Sequence, residues 1–119
     1  MKFLIIGGGS IGKRHLKNLN FLGYQNLYCF KRKYDPKFEL DYNCKVICTT
    51  QEFKTLAPSI IIICNPSSKH LDWIKKSVMI GAHLFVEKPL VISNNQKIIS
   101  FGVLQLFSQN SKLIKSICF

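Results

Sequence analysis

Phe3-Leu4-Ile5-Ile6-Gly7-Gly8-Gly9-Ser10-Ile11-Gly12 is the stretch on which the fold turns, because an apolar run leads straight into glycines spaced as G-x-G-x-x-G. That order predicts a buried strand, a tight turn and a helix, the arrangement of a dinucleotide phosphate site. Each glycine has its own physical task. Gly7 permits the turn, Gly9 lets the backbone approach a pyrophosphate, and Gly12 allows the helix to pack closely on the strand, with Ser10 and Ile11 opening that helix between them. The helix directs unpaired N–H groups and the positive end of its dipole at a ligand, which favours a doubly charged pyrophosphate without requiring a lysine. Ile11, Leu16, Leu19 and Leu22 recur at roughly helical spacing until Gly23 supplies a stop.

Working outward, strands and helices alternate. Asn26-Leu27-Tyr28-Cys29-Phe30 reads as a second strand ending at Lys31-Arg32-Lys33, and Asp35-Pro36 as a break. Lys45-Val46-Ile47-Cys48-Thr49 reads as a third strand, Thr50 as the N-cap of a short helix through Leu56, and Pro58 as a boundary. Ile60-Ile61-Ile62-Ile63-Cys64 is apolar throughout, as expected of a parallel strand covered on both faces at the centre of a sheet. Asn65-Pro66-Ser67-Ser68 ends it and supplies a cap for a helix with an apolar stripe at Leu71, Ile74, Val78 and Met79, stopped by Gly81. His83-Leu84-Phe85-Val86 forms the next strand and runs into Glu87-Lys88-Pro89. The expected fold class is α/β: a doubly wound parallel sheet with right-handed crossovers. Ser93-Asn94-Asn95-Gln96 can make a capping box opening a helix through Ile99, and residues 101–119 show no further strand pattern. His15 reads as packing or surface, and Trp73 as a helix aromatic shielding apolar surface.

A length of 119 residues fits one domain with a real core. The run at 60–64 is far below the roughly 20 apolar residues of a membrane helix, and the apolar start ends at the glycines, below the roughly 7 to 15 residues of a secretory h-region. A soluble chain without a membrane partner is expected. Cys29, Cys44, Cys48, Cys64 and Cys118 are an odd set without C-x-x-C spacing, which suggests a reduced cytoplasm and no metal site. The formal charge of +11 raises the possibility of nucleic-acid binding. However, the cations are spread over several elements with one dense cluster at 31–33, so a solvated basic surface without a specific nucleic-acid partner is expected.

Three markers in order, the glycine loop at 7–12, Asn65-Pro66-Ser67-Ser68-Lys69-His70, and Gly81-Ala82-His83-Leu84-Phe85-Val86-Glu87-Lys88-Pro89-Leu90, give a more specific signal. With them the chain resembles, over residues 1–92, the N-terminal domain of the Gfo/Idh/MocA oxidoreductases. The resemblance implies a Rossmann domain binding NAD or NADP, joined in complete members to a larger domain that binds a sugar or polyol and assembles the oligomer. Members move hydride between the nicotinamide and a carbon bearing a hydroxyl. Lys88 matches the family lysine beside the nicotinamide and substrate hydroxyl, which implies a catalytic and cofactor-binding role; an ordinary surface lysine is the other reading. Its place at the carboxyl end of a parallel strand suits that role, and Pro89 favours extended backbone there. Glu87 is expected to position Lys88 or the nicotinamide side, or else to form a plain surface ion pair. Asn65 and Pro66 match positions lining the cofactor crevice and also suit a strand-end turn. His70 matches the family histidine after that turn, with a solvated histidine in a helix's first turn as the alternative.

Two departures matter. NAD-preferring Rossmann domains carry an acidic residue about 20 positions after the glycine loop, but here the region reads Phe30-Lys31-Arg32-Lys33, with no carboxylate before Asp35. A guanidinium pairs with a 2′-phosphate in bidentate fashion, so Arg32, assisted by Lys31 or Lys33, points towards NADP over NAD. The alternative is a basic solvent loop with NAD still bound. The second departure is extent: the family's substrate domain does not follow. Residues 1–92 are therefore expected to be the dinucleotide-binding domain, and 93–119 an atypical tail of a truncated or frameshifted product. Two functional readings follow: the cofactor domain of a sugar or polyol oxidoreductase lacking its substrate domain, or a non-catalytic nucleotide-binding or interaction module.

Overall fold

In the computed structural model, which describes residues 1–87 and 114–117, six strands form one parallel sheet in the order β3-β2-β1-β4-β5-β6. The elements are β1 (Phe3–Ile6), α1 (Ser10–Phe21), β2 (Leu27–Phe30), α2 (Pro36–Tyr42), β3 (Lys45–Ile47), α3 (Thr50–Leu56), β4 (Ile60–Ile63), a 3-10 turn (Ser67–Lys69), α4 (His70–Ile80), β5 (His83–Glu87) and β6 (Ile114–Ile117). The doubly wound Rossmann architecture expected from the sequence is the one observed.

Successive side chains of a strand point to opposite faces, and the core divides accordingly. Leu4, Ile6, Ile61, Ile63, Leu84 and Val86 face one way and pack against Phe53 of α3 and Trp73 and Ile74 of α4. Phe3, Ile5, Cys29 and Ile62 face the other way, against Leu16 of α1 and Phe38 of α2. Helices on both faces remove the polar alternation of a half-exposed strand, which is why β1 is buried at every position. Trp73 sits on the first layer with its ring edge-on to Phe30 at 4.6 Å and to Phe53 at 5.4 Å, shielding apolar surface as its helical position suggests.

The winding direction reverses between β1 and β4. The chain travels outward from β1 to β2 and β3, then returns to lay β4 on the free side of β1. The crossovers on either side of this point diverge, so a crevice opens at the carboxyl ends of β1 and β4, where open α/β sheets bind ligands.

Several local expectations change. Asp35-Pro36 starts a helix rather than breaking the chain: Asp35 caps α2 by accepting from the Phe38 N–H at 3.0 Å, and Pro36 occupies the first turn, where its missing N–H costs nothing. The cap of α3 is Thr49, not Thr50, in a reciprocal capping box with Glu52. Neither Ser67 nor Ser68 caps α4; both lie in the 3-10 turn, and α4 begins after Lys69 without a side-chain cap. Met79 is 86% exposed and does not join the apolar stripe of Leu71 and Ile74. A strand does occur beyond residue 101, since β6 pairs in parallel with β5 from Leu84↔Ile114 to Glu87↔Ile117. The helix expected from Ser93 to Ile99 lies outside the described residues. Among those described, no helix is long and apolar enough to cross a membrane.

The glycine turn supports a stability prediction. A Cβ on Gly12 would stand 2.0 Å from the Gly7 carbonyl oxygen, whereas one on Gly9 meets nothing within 4 Å. Gly12→Ala should therefore destabilise the fold by about 3 kcal/mol or more, whereas Gly9→Ala should stay within about 1 kcal/mol of the parent. Urea denaturation followed by circular dichroism measures both.

Candidate functional site

The site begins with backbone. Gly7 adopts φ 108°, a conformation that disfavours any side chain, and a Cβ there would lie 2.9 Å from the Asn65 backbone nitrogen. Gly9 is the N-cap of α1, in extended conformation and without a side-chain acceptor, and the first turn of α1 holds no carboxylate. The opening N–H groups of this helix are thus left to an external acceptor. Steric closure at Gly7 and Gly12 with open space at Gly9 makes a cradle shaped for close backbone approach by a phosphate group. These residues fit the pyrophosphate of a dinucleotide.

Two cavities flank the cradle and share Asn65 and Pro66. The first, about 380 Å³, is walled by Gly7, Gly8, Phe30, Arg32, Lys69 and Trp73. The second, about 430 Å³, is walled by Gly9, Ser10, Ile11, Cys64, His70 and Glu87. Gly7, Gly9, Ser10, Ile11, Arg32, Asn65, Pro66, His70 and Glu87, all singled out from sequence, therefore line one crevice, with Gly12 behind the loop. Lys88 lies outside the described residues.

Charge on the first cavity is not distributed as the basic triplet suggests. Lys31 donates to Asp35 at 2.6 Å, and its ammonium lies 4.0 Å from the Phe38 ring centroid. The Lys31 hydrogen bond, followed by the Phe38 backbone N–H, holds the Asp35 carboxyl below its usual value. Arg32 makes no ion pair among the described residues, and Lys69, overlooked in the sequence, faces the same cavity from the turn after β4.

The second cavity has a buried polar wall. His70 is 1% exposed rather than solvated, and its Nε2 lies 2.6 Å from the Asn65 carbonyl oxygen. Its Nδ1 and the Asn65 Oδ1 are buried and have no hydrogen-bond partner among the described residues. Glu87 is buried too, with Oε1 2.8 Å from Nε2 of His15, so α1 is fastened to the end of β5 beneath the cavity. In place of the plain surface ion pair considered for it, Glu87 makes a buried contact with His15. His15 was legible only as packing or surface because its partner lies far along the chain. Cys64 donates to the carbonyls of Ile6 at 3.3 Å and Gly7 at 3.7 Å, and burial, then the charge of Glu87, pushes its thiol up to about 12. Burial at this position favours the neutral thiol over the thiolate. Among the described residues no group of three or more His, Cys, Asp or Glu could hold a metal ion.

Comparison with known proteins agrees with this geometry. The model of the Gfo/Idh/MocA oxidoreductase family, NAD-binding Rossmann fold, matches residues 1–100. The uncharacterized oxidoreductase YrbE of Bacillus subtilis is 27% identical, the match covering 75% of this chain and 28% of that protein. The UDP-N-acetylglucosamine 3-dehydrogenase GnnA from Acidithiobacillus ferrooxidans superposes with a TM-score of 0.78 at 14% identity, over 98% of this chain and 37% of that one. GenD2 from gentamicin A biosynthesis, solved in complex with NAD, superposes at 0.80 with 16% identity, over 98% of this chain and 34% of its own. The two structural likenesses show a shared fold, and the chain spans well under half the length of each protein it resembles.

The His15–Glu87 contact generates a second prediction. His15→Leu strands a buried carboxyl group and should lower the unfolding free energy by about 1–3 kcal/mol, whereas Glu87→Gln, which keeps an acceptor for His15, should cost less. Paired urea melts of the two variants separate these outcomes.

Proposed function

The chain belongs to the Gfo/Idh/MocA oxidoreductase family, and from that premise we propose that it provides the dinucleotide-binding part of an enzyme acting on a sugar or polyol hydroxyl, with NADP preferred over NAD. The observation that carries this reading is the glycine cradle between two cavities at the reversal point of the sheet. The N-terminus of α1 holds the pyrophosphate, with Gly9 giving it room. Arg32 meets the 2′-phosphate at the first cavity, where its guanidinium is unpaired among the described residues while Lys31 is engaged by Asp35. The second cavity, with His70 and Glu87, takes the nicotinamide side.

When bound, the dinucleotide supplies hydride transfer to or from the carbon that carries the hydroxyl. The protein's part is to orient the ring and move the hydroxyl proton. In this reading Lys88 is the catalytic residue: its Nζ hydrogen-bonds the reacting oxygen and takes or returns its proton. Glu87, anchored through His15, fixes the end of β5 from which Lys88 follows. A sugar hydroxyl as the reacting group is supported by family membership and by likeness to a UDP-N-acetylglucosamine 3-dehydrogenase. Residues 1–92 are the proposed cofactor unit, and substrate contacts are assigned to polypeptide outside this chain, which spans only 37% of that dehydrogenase.

Calorimetric titration of the purified chain with NADPH and NADH at fixed moderate salt tests the proposal. NADPH should bind more tightly, Gly9→Asp should abolish binding of both, and Arg32→Ala should weaken NADPH about tenfold with little change for NADH. A folded chain that binds neither nucleotide overturns the reading.

A further inference from the structure

A third cavity, of about 390 Å³, lies between α1 and α2. Two adjacent rows of α1 side chains wall it, Ser10, Arg14 and Asn18 at one spacing of four and Lys13 and Lys17 at another, with Tyr42 of α2 opposite. Among the described residues, its lining and that of the second cavity have only Ser10 in common. Three cations thus line one small space, and no described acidic group neutralises them. α1 has no acidic residue. On α2, Glu39 is committed to the Val46 N–H at 2.7 Å and the Tyr34 hydroxyl at 3.0 Å, and Asp41 does not line the cavity. The ion pairs among the described residues are His15–Glu87 and Lys31–Asp35, neither of which involves these cations. Lys13 and Lys17 each stand 5.9 Å from the centroid of the Tyr42 ring, so two like charges four residues apart are held against one aromatic. Such a pair is destabilising, and the ring offsets only part of the repulsion. Lys13 and Arg14 also follow directly on the first turn of α1, near the positive end of the helix dipole, where cations are disfavoured. These repulsions coincide at one place, and one bound anion relieves all of them.

We propose that this cavity binds a compact polyphosphate anion on the α2 side of α1, separately from the dinucleotide. The lining supplies what such a group requires. A guanidinium takes a phosphate through two N–H donors, two ammonium groups add point charges, and Ser10, Asn18 and Tyr42 offer neutral donors. The volume is that of a small-ligand site. A carboxylate carries one charge on two oxygens, so three cations in so small a space are better matched by linked phosphates. A nucleic-acid strand spaces its phosphates along an extended backbone and needs a continued basic track, whereas the other cations of the chain are spread over several elements.

Inorganic tripolyphosphate is the probe, titrated calorimetrically into the purified chain at fixed moderate salt, with citrate and a short single-stranded DNA for comparison. Tripolyphosphate should bind about tenfold more tightly than citrate. Lys13→Gln with Lys17→Gln should weaken it about tenfold, the loss of two exposed ion pairs. Lys54→Gln with Lys75→Gln removes the same charge from exposed positions of α3 and α4, which pack on the other face of the sheet, and should change the affinity less than about twofold at that salt. An equal loss in the two double variants marks the general field of a basic protein and overturns the proposal, as does citrate binding as tightly as tripolyphosphate. DNA binding more tightly than tripolyphosphate, with the same dependence on Lys13 and Lys17, assigns the surface to nucleic acid and overturns it too. NMR of the parent chain locates the anion without relying on a variant. The ring signals of Tyr42 and the side-chain amide of Asn18 should shift on adding tripolyphosphate, while the backbone amides of Gly7 and Gly9 report the cradle separately. Shifts confined to those glycines place the anion in the cradle and overturn the proposal.

Discussion

The approach of α1 to the turn that follows β1 is the constraint from which the rest of the structure follows. At Gly12 the helix comes so near the Gly7 carbonyl that even a methyl group has no space. This closeness aims the helix axis at the crevice, so that the open N–H groups at Gly9 and beyond point where the winding of the sheet reverses. A helix displaced outward by one side-chain layer would still cover the sheet, but its terminus would no longer form the floor of a binding groove.

A second restraint acts on the same helix from its other side. His15, on the buried face of α1, grips Glu87 at the last position of β5, a strand separated from β1 by β4. This contact ties the helix that carries the phosphate cradle to the end of β5. In the functional reading this matters because the reacting ring of a dinucleotide is joined to its central pyrophosphate through one ribose, and the distance between protein groups must match that span.

How much of this was legible in the sequence depended on the range of each interaction. The glycine loop, the all-apolar β4 and the helical stripe at Leu71 and Ile74 carry their signals within a few residues, and a parallel sheet with crossover helices follows from their alternation. Asn65, Pro66 and His70 lie on one short stretch after β4, so placing that stretch at the crevice placed all of them. The misses have local causes as well. Asp35-Pro36 is ambiguous because the same pair that interrupts a strand also caps and opens a helix. Thr49 and Thr50 offer identical side chains, and only the partner Glu52 three residues after Thr49 chooses between them. The burial of His15 and the engagement of Lys31 by Asp35 depend on tertiary placement and side-chain direction, which periodicity does not encode. The atoms of His70 and Asn65 without partners among the described residues belong to the same class, since an absent hydrogen bond leaves no mark on residue type.

The parallel pairing of β1 has a consequence for how the chain is made. Its residues are made before those of both its partners, since Phe3 pairs with Leu27 on one side and with Ile60 on the other. The second edge of the central strand therefore stays unpaired until the whole β2-to-α3 segment has been produced, and it cannot close by a local hairpin as an antiparallel strand does. Pairings of such long sequence separation form slowly and leave apolar strand edges open in the interval. The element that is most buried in the finished protein is thus the one that waits longest, in a nascent chain, to be covered.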